Sequence, residues 1–312
     1  MKEYILSYYP NFKCIAGECK HTCCAGWEMN IDEKSLSRYI GNETAFSHTL
    51  KKGINLKKSQ FKADESGKCA FLNKDGLCEI ILNLGEESLC QVCRDHPRFR
   101  SFLTDRIEMG LGFSCEEATR LILSYKEKIE PVLVSADGKE EKISFIEERI
   151  LEFRKKALDI VQDRNLLPSE RLNILLKECN ANILEKDGAK IVKAFLSLER
   201  LDKAWTKRLK GIKKKPFNVN VDDKLSVYFE QFMANCLYRH LLDAEDAFEV
   251  RGFTLAIVFS WWVIQSVLEQ ELLDGEDAFA KVCDIVRAYS AEVEYSQKNL
   301  DKLFSFANRF IK

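Results

Sequence analysis

The spacing of apolar residues predicts helices over most of the chain after residue 143. Ser144 and Glu147 form the Ser-x-x-Glu pattern of a helix-starting capping box. An apolar stripe with a helical period follows it, at Ile146, Ile150, Phe153, Ala157 and Val161. The pattern predicts further helices from Pro168 and over residues 191–205, 222–242, 245–270, 274–292 and 295–310. The stretch 131–142 (PVLVSADGKEEK) interrupts the pattern and is predicted to be a linker or a hairpin-like excursion.

Composition supports a helical protein with two parts. Only five prolines and fourteen glycines occur in 312 residues, which favours helix over strand. Cysteines are concentrated early in the chain, and they become sparse after residue 125. We therefore predict a mainly α fold. A cysteine-rich, loop-rich metal-binding module with short helices, over residues 1–130, packs on an α-helical C-terminal domain over residues 143–312.

Charge and hydropathy exclude several classes of partner. Lys and Arg number 48 and Asp and Glu 49, so no charge excess favours nucleic acid or an anionic membrane. The start, MKEYILSYYP, lacks the apolar run of a signal peptide. The longest apolar stretch, residues 253–268, is shorter than the roughly 20 residues that cross a bilayer, which favours a core helix over a membrane anchor. The sequence thus predicts a cytoplasmic protein.

The cysteines are the strongest chemical signal in the chain. Nine of the twelve precede residue 116, in four groups: Cys14, Cys19, Cys23 and Cys24; Cys69 and Cys78; Cys90 and Cys93; and Cys115. The other three, Cys179, Cys236 and Cys283, lie in apolar helical patterns, where a free cysteine behaves as a small hydrophobe. Structural disulfides are disfavoured in the cytoplasm, so metal binding is the favoured role of the first nine.

Two predicted helix starts present cysteines for metal binding. Ser88 and Ser114 each begin a capping-box pattern, Ser-x-x-Gln and Ser-x-x-Glu. A helix from the first would carry Cys90 and Cys93 on one face, and a helix from the second would have Cys115 at its first position. A helix N-terminus favours the thiolate, which is the form that binds metal.

The identity of the metal stays open between two types. Four thiolates suit structural zinc and an iron–sulfur cluster alike. Only Cys90 and Cys93 form the tight knuckle of a zinc finger, and adjacent residues such as Cys23 and Cys24 direct their side chains apart. These spacings favour iron–sulfur. His96, three residues after Cys93, is either a ligand or a helix-end histidine satisfied by a carbonyl, and the second interpretation is favoured.

The cysteine pattern resembles a known family. The matching segments are Cys19-Lys-His-Thr-Cys23-Cys24-Ala-Gly26-Trp27, Cys69-Ala-Phe-Leu72, Gly76-Leu-Cys78, Gly85-Glu-Glu-Ser-Leu89-Cys90-Gln-Val-Cys93, His96-Pro97-Arg98 and Phe113-Ser-Cys115-Glu-Glu-Ala-Thr-Arg120. They look like the cysteine-rich module of the flagellin lysine-N-methylases, within a broader group of zinc- or iron-chelating proteins. The likeness is specific over residues 10–125 and vaguer beyond.

The resemblance implies an activity and its cofactors. It implies methyl transfer from S-adenosylmethionine to lysine ε-amines of flagellin, and a chelated metal of the [4Fe–4S] type. Eight cysteines, all of the nine except Cys14, match the family's cysteines. A metal-binding or redox module without methyltransferase activity is the alternative. The chain contains neither a Gly-x-Gly-x-x-Gly dinucleotide fingerprint nor a Cys-x3-Cys-x2-Cys motif, and Gly110-Leu-Gly112 is interpreted as a tight approach beside the metal.

Three consecutive polar residues in the helical part are candidates for catalysis. Arg239 has the two-pronged geometry that binds a carboxylate such as that of S-adenosylmethionine. Tyr238 or His240 has the chemistry to take the lysine proton. A satisfied structural network of the three is equally compatible with the sequence.

Overall fold

The computed structural model describes residues 1–136, 142–271 and 278–312 and divides into two compact units. The larger unit comprises Met1–Phe12, Phe99–Ser114 and Ala118–Lys312, and the smaller comprises Lys13–Arg98 and Cys115–Glu117. These boundaries are drawn differently from the two domains predicted over 1–130 and 143–312, because the beginning of the chain and most of residues 99–130 belong to the larger unit.

Helices dominate the described residues. The thirteen α-helices there are α1 (Glu33–Ile40), α2 (Ser47–Gly53), α3 (Glu79–Leu84), α4 (Gln91–Asp95), α5 (Glu116–Ser124), α6 (Phe145–Val161), α7 (Pro168–Glu178), α8 (Gly188–Leu196), α9 (Lys203–Gly211), α10 (Ser226–His240), α11 (Ala247–Gln270), α12 (Ala278–Val293) and α13 (Gln297–Ala307). The prediction of a mainly α fold is confirmed.

The strands form two small sheets that were not predicted. They are β1 (Lys2–Leu6), β2 (Ile54–Asn55), β3 (Gln60–Phe61), β4 (Arg98–Phe102), β5 (Arg106–Leu111) and β6 (Pro131–Ala136). One sheet has the order β4-β5-β1-β6, with β1 parallel to β5 and antiparallel to β6. The other is the antiparallel pair β2 and β3, in the smaller unit. The first six residues of the predicted linker 131–142 are therefore the edge strand β6, and its residues 137–141 lie outside the described part.

The helix predictions hold best where apolar periodicity and an N-cap coincide. Ser144 and Glu147 form both bonds of the capping box, and α6 begins directly after Ser144. The periodicity over 191–205 was wrong as one helix, because it divides into α8 and α9. The helix predicted over 274–292 is observed from Ala278, and its first four residues lie outside the described part.

Helix α11 forms the centre of the larger unit. Its residues Gly252–Leu268 are all buried, and rings from neighbouring helices surround it, with Phe229 5.5 Å and Phe232 5.7 Å from the Trp261 ring. The helix is long and apolar enough to cross a membrane, but 78% of its most apolar window is buried within the protein. Burial of this kind is typical of a core helix, as predicted for residues 253–268.

Candidate metal centre

Five cysteines of the smaller unit pack into its apolar core. Cys69 and Cys90 are buried among Met29, Ile31, Phe61, Phe71 and Ile80, and Cys24, Cys78 and Cys93 pack against the same cluster. We call these five residues the inner cysteine group. The backbone holds two of its segments together, since the Cys69 amide donates to the Cys24 carbonyl at 2.8 Å. The structure thus brings together cysteines from three of the four predicted groups.

Helix N-termini present two members of the inner group. Cys78 is the N-cap of α3 and Cys90 the N-cap of α4. Burial raises the pKa of Cys78, although the amides of Ile81 and Ile80 oppose that rise by donating to its sulfur. The predicted short helix is confirmed and contains Cys93, but Cys90 precedes it as the N-cap, and the predicted cap was wrong. Ser88 donates instead to the Leu84 carbonyl at 2.8 Å, and the Asp32 carboxylate accepts from the Gln91 amide at 2.8 Å.

Two pairs of cysteines are joined by a hydrogen bond from one thiol to the sulfur of the other. The Cys93 thiol donates to Cys90 and lowers the pKa of Cys90, while the same bond raises the pKa of Cys93. Cys23 and Cys24 form a second such pair, in which the bond from Cys23 lowers the pKa of Cys24 to about 7. One sulfur of each pair is therefore prepared to ionise, and thiolates are the species that bind metal.

The other four cysteines of the smaller unit form a second set. Cys14, Cys19, Cys23 and Cys115 are each exposed or half-buried, and we call them the outer cysteine group. The charges of Cys115 and Cys14 both raise the pKa of the Cys23 thiol, and the charge of Cys115 also raises the pKa of Cys19. Nine predicted ligands thus fall into two sets, five inner and four outer, rather than one.

Glu116 fixes the outer group beside the start of α5. Its Oε2 accepts from the amides of Lys20 and His21 at 2.9 and 3.0 Å and from the Cys19 thiol at 3.7 Å. Burial raises the pKa of Cys19 to about 11, and the Glu116 charge adds to that effect. The predicted capping by Ser114 was wrong, because α5 begins at Glu116, one residue after Cys115, and the Ser114 hydroxyl has no hydrogen-bond partner among the described residues.

The cysteines are suitable metal donors, but their side chains are too far apart to hold a metal ion as they stand. Soft thiolates in an apolar surrounding fit zinc or an iron–sulfur cluster. Among the residues that the structure describes, however, no three His, Cys, Asp or Glu side chains stand close enough together to hold a metal ion as they are. The fit therefore rests on the donor set, and metal binding by these cysteines stays a prediction.

The remaining candidate ligands behave as the sequence suggested. Cys179 and Cys236 are buried in the larger unit, and Cys283 is half-buried. His96 ends α4, where its backbone amide donates to the Val92 carbonyl at 3.2 Å, and its ring lies 6.4 Å from the Trp27 ring. The burial of Cys179 and Cys236 agrees with a core role for the scattered cysteines, and the role of the His96 ring stays a prediction.

The three catalytic candidates lie on α10, and Tyr238 has a partner of its own there. The ring of Tyr238 packs under Arg154, whose guanidinium is 4.9 Å from the ring centre, and burial raises the pKa of Tyr238. The Arg239 guanidinium lies over the rings of Tyr295 and Phe99, at 5.1 and 5.8 Å from their centres. Tyr238 thus has surroundings of its own, apart from the partners that Arg239 and His240 share.

Glu294, which sequence reasoning missed, joins Arg239 and His240. Its Oε1 is 2.8 Å from His240 Nε2, and its Oε2 is 3.6 Å from Arg239 Nη1. Burial alone would raise the pKa of Glu294, but Arg239 and His240 outweigh burial and hold it at about 2. These contacts favour the structural network that the sequence left open. No local signal could have found Glu294, which follows His240 by 54 residues.

Gly110 on β5 and Gly112 just after it each meet a side chain at close range. A Cβ on Gly112 would be 2.5 Å from Arg239 Nη1, and a Cβ on Gly110 would be 2.5 Å from the Phe99 ring. All four residues belong to the larger unit, whereas the nine predicted ligands belong to the smaller. The close approach predicted for these glycines is confirmed, and their place beside a metal stays a prediction.

Comparison with known proteins adds a family likeness. FliU of Salmonella muenchen, a flagellar biosynthetic protein, is 27% identical over 135 residues, which is 40% of this chain and 80% of FliU. The lysine-N-methylases of Salmonella choleraesuis and Salmonella typhimurium are also 27% identical over 135 residues. This chain is similar to the flagellin lysine-N-methylases. The predicted resemblance is thereby confirmed.

The likeness to lysine-N-methylase is partial. The match spans 40% of this chain but only 34% of each lysine-N-methylase. No family model matches the chain, and no solved structure is similar to it. The activity of the whole lysine-N-methylase is therefore a proposal for this protein.

Proposed function

We propose that this protein transfers methyl groups from S-adenosylmethionine to lysine ε-amines of flagellin and holds a cysteine-bound metal centre, with iron–sulfur favoured over zinc. The similarity to lysine-N-methylase and FliU carries the proposal of activity. The inner cysteine group supports the metal centre, because it offers five soft sulfur donors within an apolar core. A [4Fe–4S] cluster and a structural zinc ion each need four of them.

The chemistry of methyl transfer sets requirements on the protein. The bound donor supplies an electrophilic methyl group, and the lysine must attack it as a neutral amine, although its ordinary pKa is about 10.4. His240 is a candidate for the lysine proton and Arg239 for the donor carboxylate. Each would first have to leave Glu294, its present partner. Tyr238 is the weaker proton acceptor of the two, because burial raises its pKa and so opposes ionisation.

A labelled-methyl assay tests the proposal directly. Protein prepared without oxygen and reconstituted with iron and sulfide is incubated with flagellin and methyl-labelled S-adenosylmethionine, and lysine peptides are read by mass spectrometry. We expect label on lysine ε-amines with the wild type and with Cys179→Ser, and none with the double variant of Cys90→Ser and Cys93→Ser, which leaves only three inner cysteines. Cys90 and Cys179 are a matched pair, since both are 0% exposed and only Cys90 belongs to the inner group. A metal-replete wild type that neither transfers label nor binds S-adenosylmethionine in calorimetry overturns the proposal.

A metal-binding or redox module without methyl transfer is the second candidate. Two observations favour it: the nine candidate ligands all lie in the smaller unit, and the chain covers only 34% of lysine-N-methylase. Retained metal without binding of S-adenosylmethionine would select this candidate. Elemental analysis with absorbance near 400 nm would then separate an iron–sulfur module from a zinc module.

A further inference from the structure

Residues 203–215 form a strongly basic stretch in the larger unit. They include seven Lys or Arg and no Asp or Glu, whereas the whole chain has 48 Lys and Arg against 49 Asp and Glu. The stretch comprises α9 and the loop after it, where the side chains of Lys207, Lys210, Lys213 and Lys214 are exposed. Because the chain as a whole is balanced, this excess of positive charge is a local property of one surface.

The turn before α8 packs against the same loop and adds a further lysine. The Phe217 amide donates to the Glu185 carbonyl at 2.8 Å. A Cβ on Gly188 would collide with the Lys215 carbonyl oxygen, so the two backbones approach each other as closely as a glycine permits. Lys186, in the same turn, is exposed and thus lies beside the basic loop.

A pocket of about 460 Å³ opens where the two segments meet, a size typical of ligand sites. It is lined by Glu185, Lys186, Ala189, Lys214, Lys215 and Pro216. Lys215 is paired with Glu269, whereas Lys186 and Lys214 make no ion pair with any other residue in the described ranges. Two unpaired ammonium groups beside the apolar surfaces of an alanine and a proline suit a carboxylate on a short apolar stem, which is the chemistry of Glu and Asp side chains.

The surface favours a protein partner over a nucleic acid or a membrane. Sites for single-stranded nucleic acid combine cations with exposed aromatic rings, but the aromatic residues of these segments, Trp205 and Phe217, are buried. Glu185 in the pocket would also repel a continuous run of phosphates. A bilayer presents a flat face of lipid headgroups, and a flat face does not fill a pocket.

We propose that residues 185–190 and 203–216 form a docking surface for an acidic, extended segment of a partner protein, whose carboxylates enter the pocket beside Lys186 and Lys214. The inference goes beyond the proposed function, because it requires neither methyl transfer nor a metal. Docking of this kind depends on charge complementarity, so it speeds encounter and weakens as salt is added.

Anisotropy of a fluorescent oligoglutamate peptide titrated with the full chain tests the proposal. At an ionic strength of about 0.1 M, charges more than about 10 Å away are largely screened. Under these conditions Lys186→Glu with Lys214→Glu should weaken binding about tenfold or more, a loss of about 1.4 kcal/mol. The control, Lys126→Glu with Lys128→Glu, makes the same change in net charge at two exposed lysines outside the pocket and should weaken binding less than about twofold.

Two results of the titration overturn the proposal. One is equal weakening in the two double variants, which would show a response to net charge alone. The other is absence of binding by the wild type even at an ionic strength of about 0.01 M, where screening is weakest.

Cross-linking of the wild type locates the peptide without any substitution. A carbodiimide should join peptide carboxylates to the amines of Lys186 or Lys214 and leave Lys126 and Lys128 unmodified, as read by peptide mass spectrometry. Cross-links spread evenly over the exposed lysines would refute the site.

Competition identifies the class of partner. Unlabelled oligoglutamate should displace the labelled peptide more effectively than an oligothymidylate of equal charge or vesicles of phosphatidylserine. A competitor of either other class that displaces the peptide as well as oligoglutamate overturns the assignment to a protein partner. The assay contains neither S-adenosylmethionine nor metal, so a failure to methylate flagellin leaves this inference standing, and a failure to bind the peptide leaves the methyltransferase proposal standing.

Discussion

The two compact units achieve their structure by different means. The larger unit is built from long helices such as α11, with 24 residues, and α6, with 17. The smaller unit is built from short ones, such as α3 with six residues and α4 with five, and its core contains cysteines. Helices this short are unstable alone, because nucleation fixes several residues for one hydrogen bond. The smaller unit therefore depends on the packing of its helices against the apolar core, and the metal centre that we propose would add to that stability.

The larger unit, in contrast, contains buried charged side chains that pair with one another. Glu230 accepts bonds from Arg164 and Arg171, and Glu108 accepts one from Arg154 at 2.7 Å. Such pairs are tolerated in a core only when each charge has its partner. Stability in the larger unit thus depends on apolar packing and on the pairing of these buried charges.

Metal removal should produce the largest difference between the units. A structural metal contributes on the order of 10 kcal/mol to the folding of a small metal-dependent domain. We expect chelation of the reduced protein to abolish hydrogen-exchange protection of α1 through α4 while α11 keeps its protection. Exchange followed by peptide mass spectrometry measures both in one sample.

The double variant of Cys90→Ser and Cys93→Ser should reproduce the effect of chelation, and Cys179→Ser should not. Unchanged protection of α1 through α4 in the chelated wild type would show that the inner group acts as ordinary apolar packing.

Removal of Glu294 should destabilise the larger unit by about 3–5 kcal/mol, because Glu294→Ala leaves the buried Arg239 charge unpaired. Urea unfolding monitored by tryptophan fluorescence measures the loss. Glu152→Ala is the control, since Glu152 pairs with Arg149 at 3.4 Å on the surface, with both side chains about 60% exposed. That exposed pair should contribute less than about 1 kcal/mol. Equal losses in the two variants would contradict the distinction between buried and exposed pairs.

The same carboxylate gives the larger unit a defined pH dependence. The pKa of Glu294 is about 2 in the folded protein against an ordinary 4.5. A lowered folded-state pKa stabilises the protein above pH 4.5, and this contribution is lost as pH falls from 4.5 toward 2. The difference in unfolding free energy between wild type and Glu294→Gln should therefore shrink by on the order of 3 kcal/mol over that range. A difference that stays constant with pH would refute the assignment.

Sequence alone predicted the elements whose determinants are local. The stripe and capping box of α6 lie within one segment, as does the Cys-x2-Cys spacing on α4. The four-stranded sheet escaped prediction because β1 pairs with β5 and β6, more than a hundred residues away, and β6 is an exposed edge strand without alternation. Long-range pairing of this kind leaves no periodic signal in either segment.

The cysteines show the same division between local and distant determinants. Their number and spacing predicted a metal-binding region, but the split into inner and outer groups depends on which distant partner each sulfur meets. Glu116 and Glu294 fix candidate sites through contacts across 54 or more residues. The start of a helix can be predicted from the sequence, whereas the distant residue that a carboxylate will contact cannot.

Two serines with the same sequence pattern give the smallest and sharpest test of that limit. Ser144 and Ser114 each stand three residues before a glutamate, yet only the Ser144 hydroxyl accepts the bond of a capping box, from the Glu147 amide at 3.1 Å. Ser144→Ala should cost about 1 kcal/mol of unfolding free energy, because the backbone amide of Glu147 loses its acceptor. Ser114→Ala should cost nothing measurable, since its hydroxyl has no hydrogen-bond partner among the described residues. Equal losses in urea unfolding would mean that both serines cap their helices, and the sequence pattern would then be sufficient by itself.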